Sequence, residues 1–328
     1  MKSWLHCSGY DACMPEQANP INPTVILDAQ QRLQGHIRRT PLLKLPGAAL
    51  GVDCAELWLK LEHLQLGGSF KARGMFNRML SLPIPAAGVV IASGGNAGIA
   101  VACAAKALGV RCEVFLPELS SQAKRQALAA LDATVVVGGA AYNDALAACL
   151  ARQQVSGALL MHAYDQVEVV AGAGTLAAEI EQDAGLPSRV LVSVGGGGLV
   201  AGVAAWFESR CSVEALEPVG SPTLHAARTA GKPVDVDVGG LAADALGARR
   251  LGQIAWPVSQ RHVAAAHLLS EEAIRQAQRL LWTELRLAVE PAAALPLAAL
   301  RSGAVRPGPH ERVALVLCGA NFDASMLA

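Results

Sequence analysis

Three segments of this chain are rich in glycine, and the first two also contain a side chain that could take part in chemistry. The first is GGSFKARG (67–74), in which Lys71 stands between a flexible turn and residues with helical spacing. The second is SGGNAG (93–98), and the third is a run of four glycines, Gly195 to Gly198. A lysine amine can form an imine with an aldehyde, and it can also act as a base in proton transfer.

The glycine run follows an apolar segment, VLVSV, and precedes a helical pattern, LVAGVAAWF. Backbone N–H groups in such a loop, together with the start of the helix, can bind a phosphate group. The pattern also fits a tight turn, but four glycines cost much conformational entropy for a turn alone. The loop therefore favours phosphate binding, although it has neither the dinucleotide nor the nucleoside-triphosphate signature.

The SGGNAG segment also stands between a predicted strand and a predicted helix. Its N–H groups could bind a carboxylate, and the amide of Asn96 could donate a hydrogen bond to a phenolate oxygen. Asn96 could equally cap the following helix, and Lys71 alone could be a solvated charge, as most lysines are. Considered together, the lysine, the glycine loop and the asparagine indicate a phosphorylated aldehyde cofactor bound as a Schiff base.

The elements that must position these residues follow an alternating pattern. Strand-like apolar runs at 88–93, 188–194 and 311–319 alternate with helical runs rich in Ala and Leu. One such helix is predicted from Ser270 to Leu287. The alternation is typical of parallel sheets covered by helices, which bind ligands at the carboxyl ends of their strands. We expect the lysine and glycine loops to meet there.

Size and composition restrict the possible functions. The 328 residues exceed the usual size of one core, so two domains are expected. Lys and Arg together number 27, as do Asp and Glu, and this balance disfavours a nucleic-acid partner. No apolar run is long enough to span a membrane, and the N-terminus lacks the apolar part of a secretory signal. Eight scattered cysteines without a C-x-x-C pair predict reduced thiols in a cytoplasmic protein.

The order of these segments resembles that of the fold-type II pyridoxal-phosphate enzymes of the serine/threonine dehydratase group. The resemblance rests on GSFKARG, SGGNAG, SVGGGGLVAGV, VEPAAA and VLCGANFD, from about residue 40 to the C-terminus. It implies an α/β fold of two domains, each a mostly parallel twisted sheet flanked by helices. Residues 1–84 and 170–328 would form the large, cofactor-binding domain, and residues 85–169 a small domain inserted in it.

The resemblance also implies roles around pyridoxal 5'-phosphate. Lys71 would hold the cofactor and act as the catalytic base. Phe70 and Gly240 would lie on the two faces of the pyridine ring. Asn96 would contact the phenolic oxygen, and Cys318 would face the ring nitrogen. The phosphate would bind Gly195, Gly196, Gly197, Gly198 and Leu199, and the substrate carboxylate would bind Ser93, Gly94, Gly95, Asn96 and Ala97.

Two positions refine the implied reaction. A cysteine at position 318 and the LHAARTAGK run (224–232) are similar to the animal-liver type of serine dehydratase. A neutral thiol stabilises a protonated pyridinium poorly, which favours β-elimination over transamination. Relatives that racemise serine have a second serine at the position of Gly94, so racemisation is expected to be weak or absent.

The resemblance bears on metal binding as well. In the racemising relatives, two carboxylates that follow a strand like VEALEP bind a divalent cation. Here Glu217 is retained, but Thr223 stands at the second position. We therefore expect no divalent metal, and a monovalent cation such as K+ is more plausible near Glu217, Ser221 and Thr223.

The implied function is a pyridoxal-phosphate-dependent ammonia-lyase, a cytoplasmic homodimer that converts L-serine or L-threonine to a 2-oxo acid and ammonia. The alternatives are a β-replacement synthase, an ammonia-lyase for another substrate such as 3-hydroxyaspartate, and a homologue that binds the cofactor without turnover. A nucleotide-binding oxidoreductase is the alternative with the least support from the sequence. Asn321 and Asp323, after the last strand, are interpreted as turn residues.

Overall fold

The computed structural model of this chain describes residues 20–323, which form an α/β structure with two sheets. The N-terminal stretch considered for a secretory signal and the outer ends of the predicted large domain lie outside these residues. The strands are β1 (Leu42–Pro46), β2 (Glu56–Lys60), β3 (Val89–Ala92), β4 (Cys112–Leu116), β5 (Thr134–Val137), β6 (Leu159–Leu160), β7 (Arg189–Ser193), β8 (Ser212–Pro218), β9 (Ala265–Leu269) and β10 (Arg312–Val316).

The predicted long helix near the C-terminus is confirmed, with Ser270 as its cap, which accepts the N–H of Ala273 at 3.3 Å. No helix within residues 20–323 is long and apolar enough to cross a bilayer. The helices are α1 (Pro23–Arg32), α2 (Lys71–Ser81), α3 (Asn96–Leu108), α4 (Gln122–Ala129), α5 (Tyr142–Ser156), α6 (Val167–Ala184), α7 (Gly198–Phe207), α8 (Thr223–Ala230), α9 (Ala243–Leu246), α10 (Ala255–His262), α11 (Glu271–Leu285) and α12 (Pro291–Arg301).

The larger sheet has the strand order β1-β2-β10-β7-β8-β9, and the smaller sheet has the order β5-β4-β3-β6. Neighbouring strands are parallel in both sheets, except that β1 and β2 are antiparallel. The predicted α/β fold with mostly parallel sheets is therefore confirmed. The strands of the smaller sheet lie between residues 89 and 160, and the predicted limits of the inserted domain, 85 and 169, stay a prediction.

Helices α7 and α12 consist almost wholly of buried residues, and α6 is buried from Val169 to Ile180; most of these residues are small or aliphatic, and the helices pack against the larger sheet or each other. Small residues let α6 and α7 approach closely. A Cβ on Gly202 of α7 would lie 2.6 Å from the backbone nitrogen of Gly174 in α6. Burial on both faces explains why the central strands β7 and β10 are mostly apolar, as parallel strands usually are.

A buried network of ion pairs holds the first turn of α2, the helix that begins at Lys71. Arg73, two residues after Lys71 in α2, donates to Glu62 and to Glu179 of α6, each at 2.8 Å. Lys60 of β2 donates to Glu179 at 2.5 Å. The four charged side chains are between 0 and 6% exposed, so each depends on the others for compensation. The network therefore holds α2 against the larger sheet.

Candidate active site

The lysine loop lies beside the end of β10. The N–H of Phe70 donates to the carbonyl of Cys318 at 3.0 Å, and Ser69 pairs with Gly319 in an isolated β-bridge. One of the two strands that flank β10 in the sheet, β7, leads directly into the glycine loop. Parallel strands therefore bring these distant parts of the sequence to one edge of the sheet, as expected.

A cavity at this edge contains most of the predicted cofactor-binding residues. Five further residues, which the sequence did not assign, complete its wall, and they include Tyr164, Ala245 and Glu290. The structure thus groups the predicted residues, while their roles toward the cofactor stay a prediction. The predicted residues that line the cavity are Phe70, Lys71, Asn96, Gly195, Gly196, Gly197, Gly198, Leu199 and Cys318.

Lys71 is the first residue of α2, and its amine lies in the cavity. Its Nζ donates to the carbonyl of Ala163 at 2.6 Å and lies 5.0 Å from the centroid of the Phe70 ring. Burial lowers the pKa of the amine to about 8, although Cys318 and Glu290 favour the charged form. A larger neutral fraction near neutral pH makes the amine a better nucleophile and base.

The glycine loop packs against Tyr164, and this contact explains part of its sequence. A Cβ on Gly196 would lie 2.3 Å from the Tyr164 ring, and one on Gly198 would lie 2.7 Å from its carbonyl oxygen. Gly197 has a φ of 87°, which favours glycine. Because α7 begins at Gly198, its unpaired N–H groups and the positive end of its dipole lie at the cavity, where they favour an anion.

Asn96 is the first residue of α3, and its side chain does not cap that helix. The N-cap residue is Gly95, so the capping interpretation of Asn96 is wrong. The Nδ2 atom of Asn96 lies 2.9 Å from both carboxylate oxygens of Glu290, and its Oδ1 accepts a hydrogen bond from Asn321 at 2.7 Å. The amide therefore takes part in a polar network at the cavity.

The loop predicted to bind the substrate carboxylate, residues 93–97, connects β3 to α3. The first N–H groups of α3 have no partner within the helix and favour an anion. Gly95 and Asn96 also line a second, adjoining cavity of about 120 Å³. Lys124 of α4 and Asp244 of α9 line this second cavity too, and their charged groups lie 3.0 Å apart.

Glu290 is a site residue that sequence reasoning missed. It is 2% exposed, and one of its oxygens lies 4.0 Å from the Sγ of Cys318. Burial raises the pKa of its carboxyl to about 7, although hydrogen bonds from Asn96 favour the charged form. Burial also raises the pKa of the Cys318 thiol well above its usual range. The VEPAAA motif was the available signal, since Glu290 is its acidic residue.

The predicted place of Gly240 against the pyridine ring stays a prediction. Gly240 does not line the first cavity, whereas Ala245 and Leu246 do. The structure itself shows why glycine is required at 240, because its φ is 88° and a Cβ would lie 2.3 Å from a carboxylate oxygen of Glu271. The next N–H, that of Leu241, donates to the same carboxylate, so the segment is fixed to the start of α11.

The three residues considered for a monovalent cation are fully buried. Both oxygens of Glu217 are engaged, since they accept the N–H groups of Leu224 and His225 at 2.7 and 2.9 Å. Thr223 donates to the glycine loop, and the hydroxyl of Ser221 has no hydrogen-bond partner in the described part of the chain. Burial raises the pKa of the Glu217 carboxyl to about 7.

Residues 33–319 match the family model described as pyridoxal-phosphate dependent enzyme. The chain is 35% identical to an L-threonine ammonia-lyase of Geobacter sulfurreducens, over 93% of this chain and 77% of that one. It is 34% identical to a phenylserine dehydratase of Ralstonia pickettii, over 93% and 94% of the two chains. Its fold is similar to that of a maize serine racemase, with a TM-score of 0.88, 27% identity and coverage of 94% and 96%. With Lys71 and the glycine loop in one cavity, these matches show that the chain belongs to the pyridoxal-phosphate dependent enzyme family.

Proposed function

We propose that this enzyme deaminates L-serine and L-threonine by β-elimination of water, giving a 2-oxo acid and ammonia. The observation that carries the proposal is the placement of the Lys71 amine, with its pKa lowered to about 8, in one cavity with the glycine loop. The relative from Geobacter sulfurreducens is named an L-threonine ammonia-lyase, which supports this reaction.

The groups around the cavity fit pyridoxal phosphate. The N–H groups of Gly195 to Gly198 would bind the phosphate, and Asn96 would bind the phenolic oxygen. Lys71 would attach to the aldehyde carbon, Phe70 would cover one face of the ring, and Cys318 would face the ring nitrogen. When bound, the cofactor supplies an electron sink for the negative charge that develops at Cα of the substrate.

Lys71 would remove the Cα proton and hold it at Nζ. The carbonyl of Ala163, 2.6 Å away, orients the free amine and stabilises it when protonated. Tyr164, the next residue, packs over the glycine loop and helps to exclude water from that side. One short segment thus supports both the base and the phosphate loop.

Cys318 and Gly94 favour elimination over competing reactions. The raised pKa keeps the Cys318 thiol neutral, and a neutral thiol does not stabilise positive charge on the ring nitrogen. Gly94 has no hydroxyl that could protonate the opposite face of Cα. A Cβ at this position would lie 2.9 Å from the Leu116 side chain. We therefore expect little or no D-amino acid as product, although the fold is similar to that of a serine racemase.

The substitution Lys71→Ala tests the proposal. The wild-type protein should bind pyridoxal phosphate with visible absorbance and release ammonia from L-serine or L-threonine, and Lys71→Ala should lose both properties. Lys106→Ala is the matched control, because Lys106 is an exposed lysine of α3 that pairs with Asp132. An unchanged rate of ammonia release in Lys71→Ala would overturn the assignment.

The second cavity favours a substrate with a larger apolar group on its Cβ atom. Its volume of about 120 Å³ approaches the ~150 Å³ of an apolar cavity that holds benzene. The relative from Ralstonia pickettii is named a phenylserine dehydratase. Three carboxyl groups, those of Asp244, Glu290 and Asp323, line this cavity against the one cation of Lys124, which disfavours 3-hydroxyaspartate through charge repulsion. Ammonia release from serine, threonine, 3-phenylserine and 3-hydroxyaspartate decides among these substrates. The apolar lining residues are Leu241, Ala242, Ala245, Pro291, Ala292 and Phe322.

We also propose that a monovalent cation such as K+ binds near Glu217, Ser221 and Thr223. The support is a buried carboxylate and, in the same short segment of the chain, an unpaired buried hydroxyl, since oxygen ligands suit hard cations. Within residues 20–323, no three acidic, His or Cys side chains are grouped as metal ligands would be. Activity should rise when K+ replaces a bulky organic cation, and a chelator of divalent metals should leave it unchanged.

A cytoplasmic homodimer is proposed as the physiological form. The cysteines of the described part are unpaired, which fits a reducing compartment. The dimer rests on the family resemblance, and light scattering during size-exclusion chromatography tests it. A monomeric mass would contradict it.

A further inference from the structure

Asn321 connects three parts of the site that are distant in sequence. Its Nδ2 donates to the carbonyl of Gly67 in the lysine loop and to the Oδ1 of Asn96, each at 2.7 Å. Its backbone N–H donates to the carboxylate of Glu290. The preceding residue, Ala320, donates its N–H to the carbonyl of Gly68 at 2.9 Å. These contacts show that Asn321 is more than the turn residue suggested by the sequence.

The contacts of Asn321 determine which end of the Asn96 amide faces the cavity. A carboxamide has a donor end and an acceptor end of nearly equal shape, so its hydrogen-bond partners fix its orientation. The carbonyl of Gly67 can only accept, and it therefore requires the NH2 group of Asn321. That NH2 group in turn requires the oxygen of Asn96. The NH2 group of Asn96 consequently faces Glu290 and the cavity.

We propose that Asn321 is a positioning residue, which orients Asn96 so that its NH2 group donates to the phenolic oxygen of the cofactor. This inference rests on the proposed contact between Asn96 and the cofactor. An Asn96 amide turned by 180° would present its oxygen to the phenolate, and a hydrogen bond would be replaced by repulsion. Asn321 itself contacts the cofactor only through Asn96.

The substitutions Asn321→Asp and Asn321→Ala test the proposal. Aspartate keeps the shape of asparagine but cannot donate to either oxygen, and alanine removes the side chain without adding charge. We expect both variants to bind the cofactor about tenfold more weakly, the effect of one lost hydrogen bond to a charged group. The visible absorbance of the bound cofactor should also decrease in favour of a near-ultraviolet band, because the phenolate loses its donor.

A double-mutant cycle separates positioning from a general structural effect. In an Asn96→Ala background, Asn321→Ala should change neither cofactor affinity nor the spectrum further. Additive losses would overturn the proposal, as would single variants with wild-type affinity and spectrum. Asn143→Ala, an exposed asparagine of α5, is the control and should behave as wild type.

The readouts distinguish this inference from the proposed function. Cofactor titration and absorbance need no turnover, so an enzyme that binds the cofactor but acts on another amino acid still supports or refutes the role of Asn321. A wild-type protein that does not bind the cofactor would overturn both proposals. Circular dichroism of the apoproteins identifies a variant that fails to fold. If Asn321→Asp fails to fold, the cofactor affinity and the absorbance of Asn321→Ala decide the test.

Discussion

Glu290 has a proton affinity that depends strongly on folding. Burial raises the pKa of its carboxyl from an ordinary value of 4.5 to about 7. Between these pH values the folded chain holds a proton that the unfolded chain has released. The stability that this proton contributes is fully present below pH 4.5 and is lost as the pH rises through 7.

The substitution Glu290→Gln should remove this pH dependence. Relative to the variant, the free energy of unfolding of the wild-type apoprotein should fall by on the order of 3 kcal/mol between pH 4.5 and 8. Urea unfolding of both proteins at several pH values measures this fall in the free energy of unfolding. Glu217→Gln provides a comparison, because the pKa of Glu217 is also raised to about 7. Parallel stability profiles of wild type and Glu290→Gln would contradict the prediction.

The lowered pKa of Lys71 predicts how fast the cofactor attaches. Only the neutral amine reacts with an aldehyde, so the attachment rate should rise with pH through a midpoint near 8. Stopped-flow absorbance after mixing apoprotein with pyridoxal phosphate measures this rate. Nα-acetyl-lysine, whose ε-amine is free, is the reference, with a midpoint of ~10.4. A midpoint close to the reference value would show that the protein does not desolvate the amine.

At the scale of elements, the order of strands and helices was predictable because it depends on local patterns. The runs at 88–93 and 188–194 became β3 and β7, and their carboxyl ends carry SGGNAG and the glycine loop. The side chains that complete the site were not predictable, since Tyr164, Glu290 and Asn321 act through tertiary neighbours. Gly240 shows the same limit: the sequence indicates backbone freedom but not which atoms approach the glycine.

The substitution Gly196→Ala should weaken cofactor binding, because its Cβ would lie 2.3 Å from the ring of Tyr164. We expect an increase in Kd of about tenfold or more, equivalent to about 1.4 kcal/mol. Gly239→Ala is the control, since no atom lies within 4 Å of the added Cβ. Adding Tyr164→Ala to Gly196→Ala should restore part of the affinity. Equal affinity of the two single glycine variants would refute the steric explanation.

At the scale of the whole molecule, the buried ion network links the larger sheet to the helix that carries Lys71. Lys60 lies in β2, Arg73 in α2 and Glu179 in α6, so one network joins β2 and α2 to a helix that is distant in sequence. Its charges cost desolvation, and they are compensated only while all the partners remain. The network makes the position of α2 depend on the integrity of the larger sheet.

The substitution Arg73→Met should therefore destabilise the protein by about 3–5 kcal/mol, because two buried carboxylates lose a partner. Urea unfolding of the apoprotein measures the loss. Arg210→Met is the control, since Arg210 pairs with Glu181 at the surface and its loss should cost less than ~1 kcal/mol. Similar stabilities of the two variants would show that the buried network does not hold α2.

The contact between Tyr164 and the glycine loop constrains how such enzymes can be recombined. Tyr164 falls within the segment predicted as the inserted domain, 85–169, whereas Gly196 and Gly198 lie outside it. A chimaera that exchanges this segment between two relatives would separate the two sides of one steric contact. A smaller residue at 164 would leave a void, and a loop with side chains would collide with the tyrosine. A chimaera should therefore take position 164 and the glycine loop from the same parent.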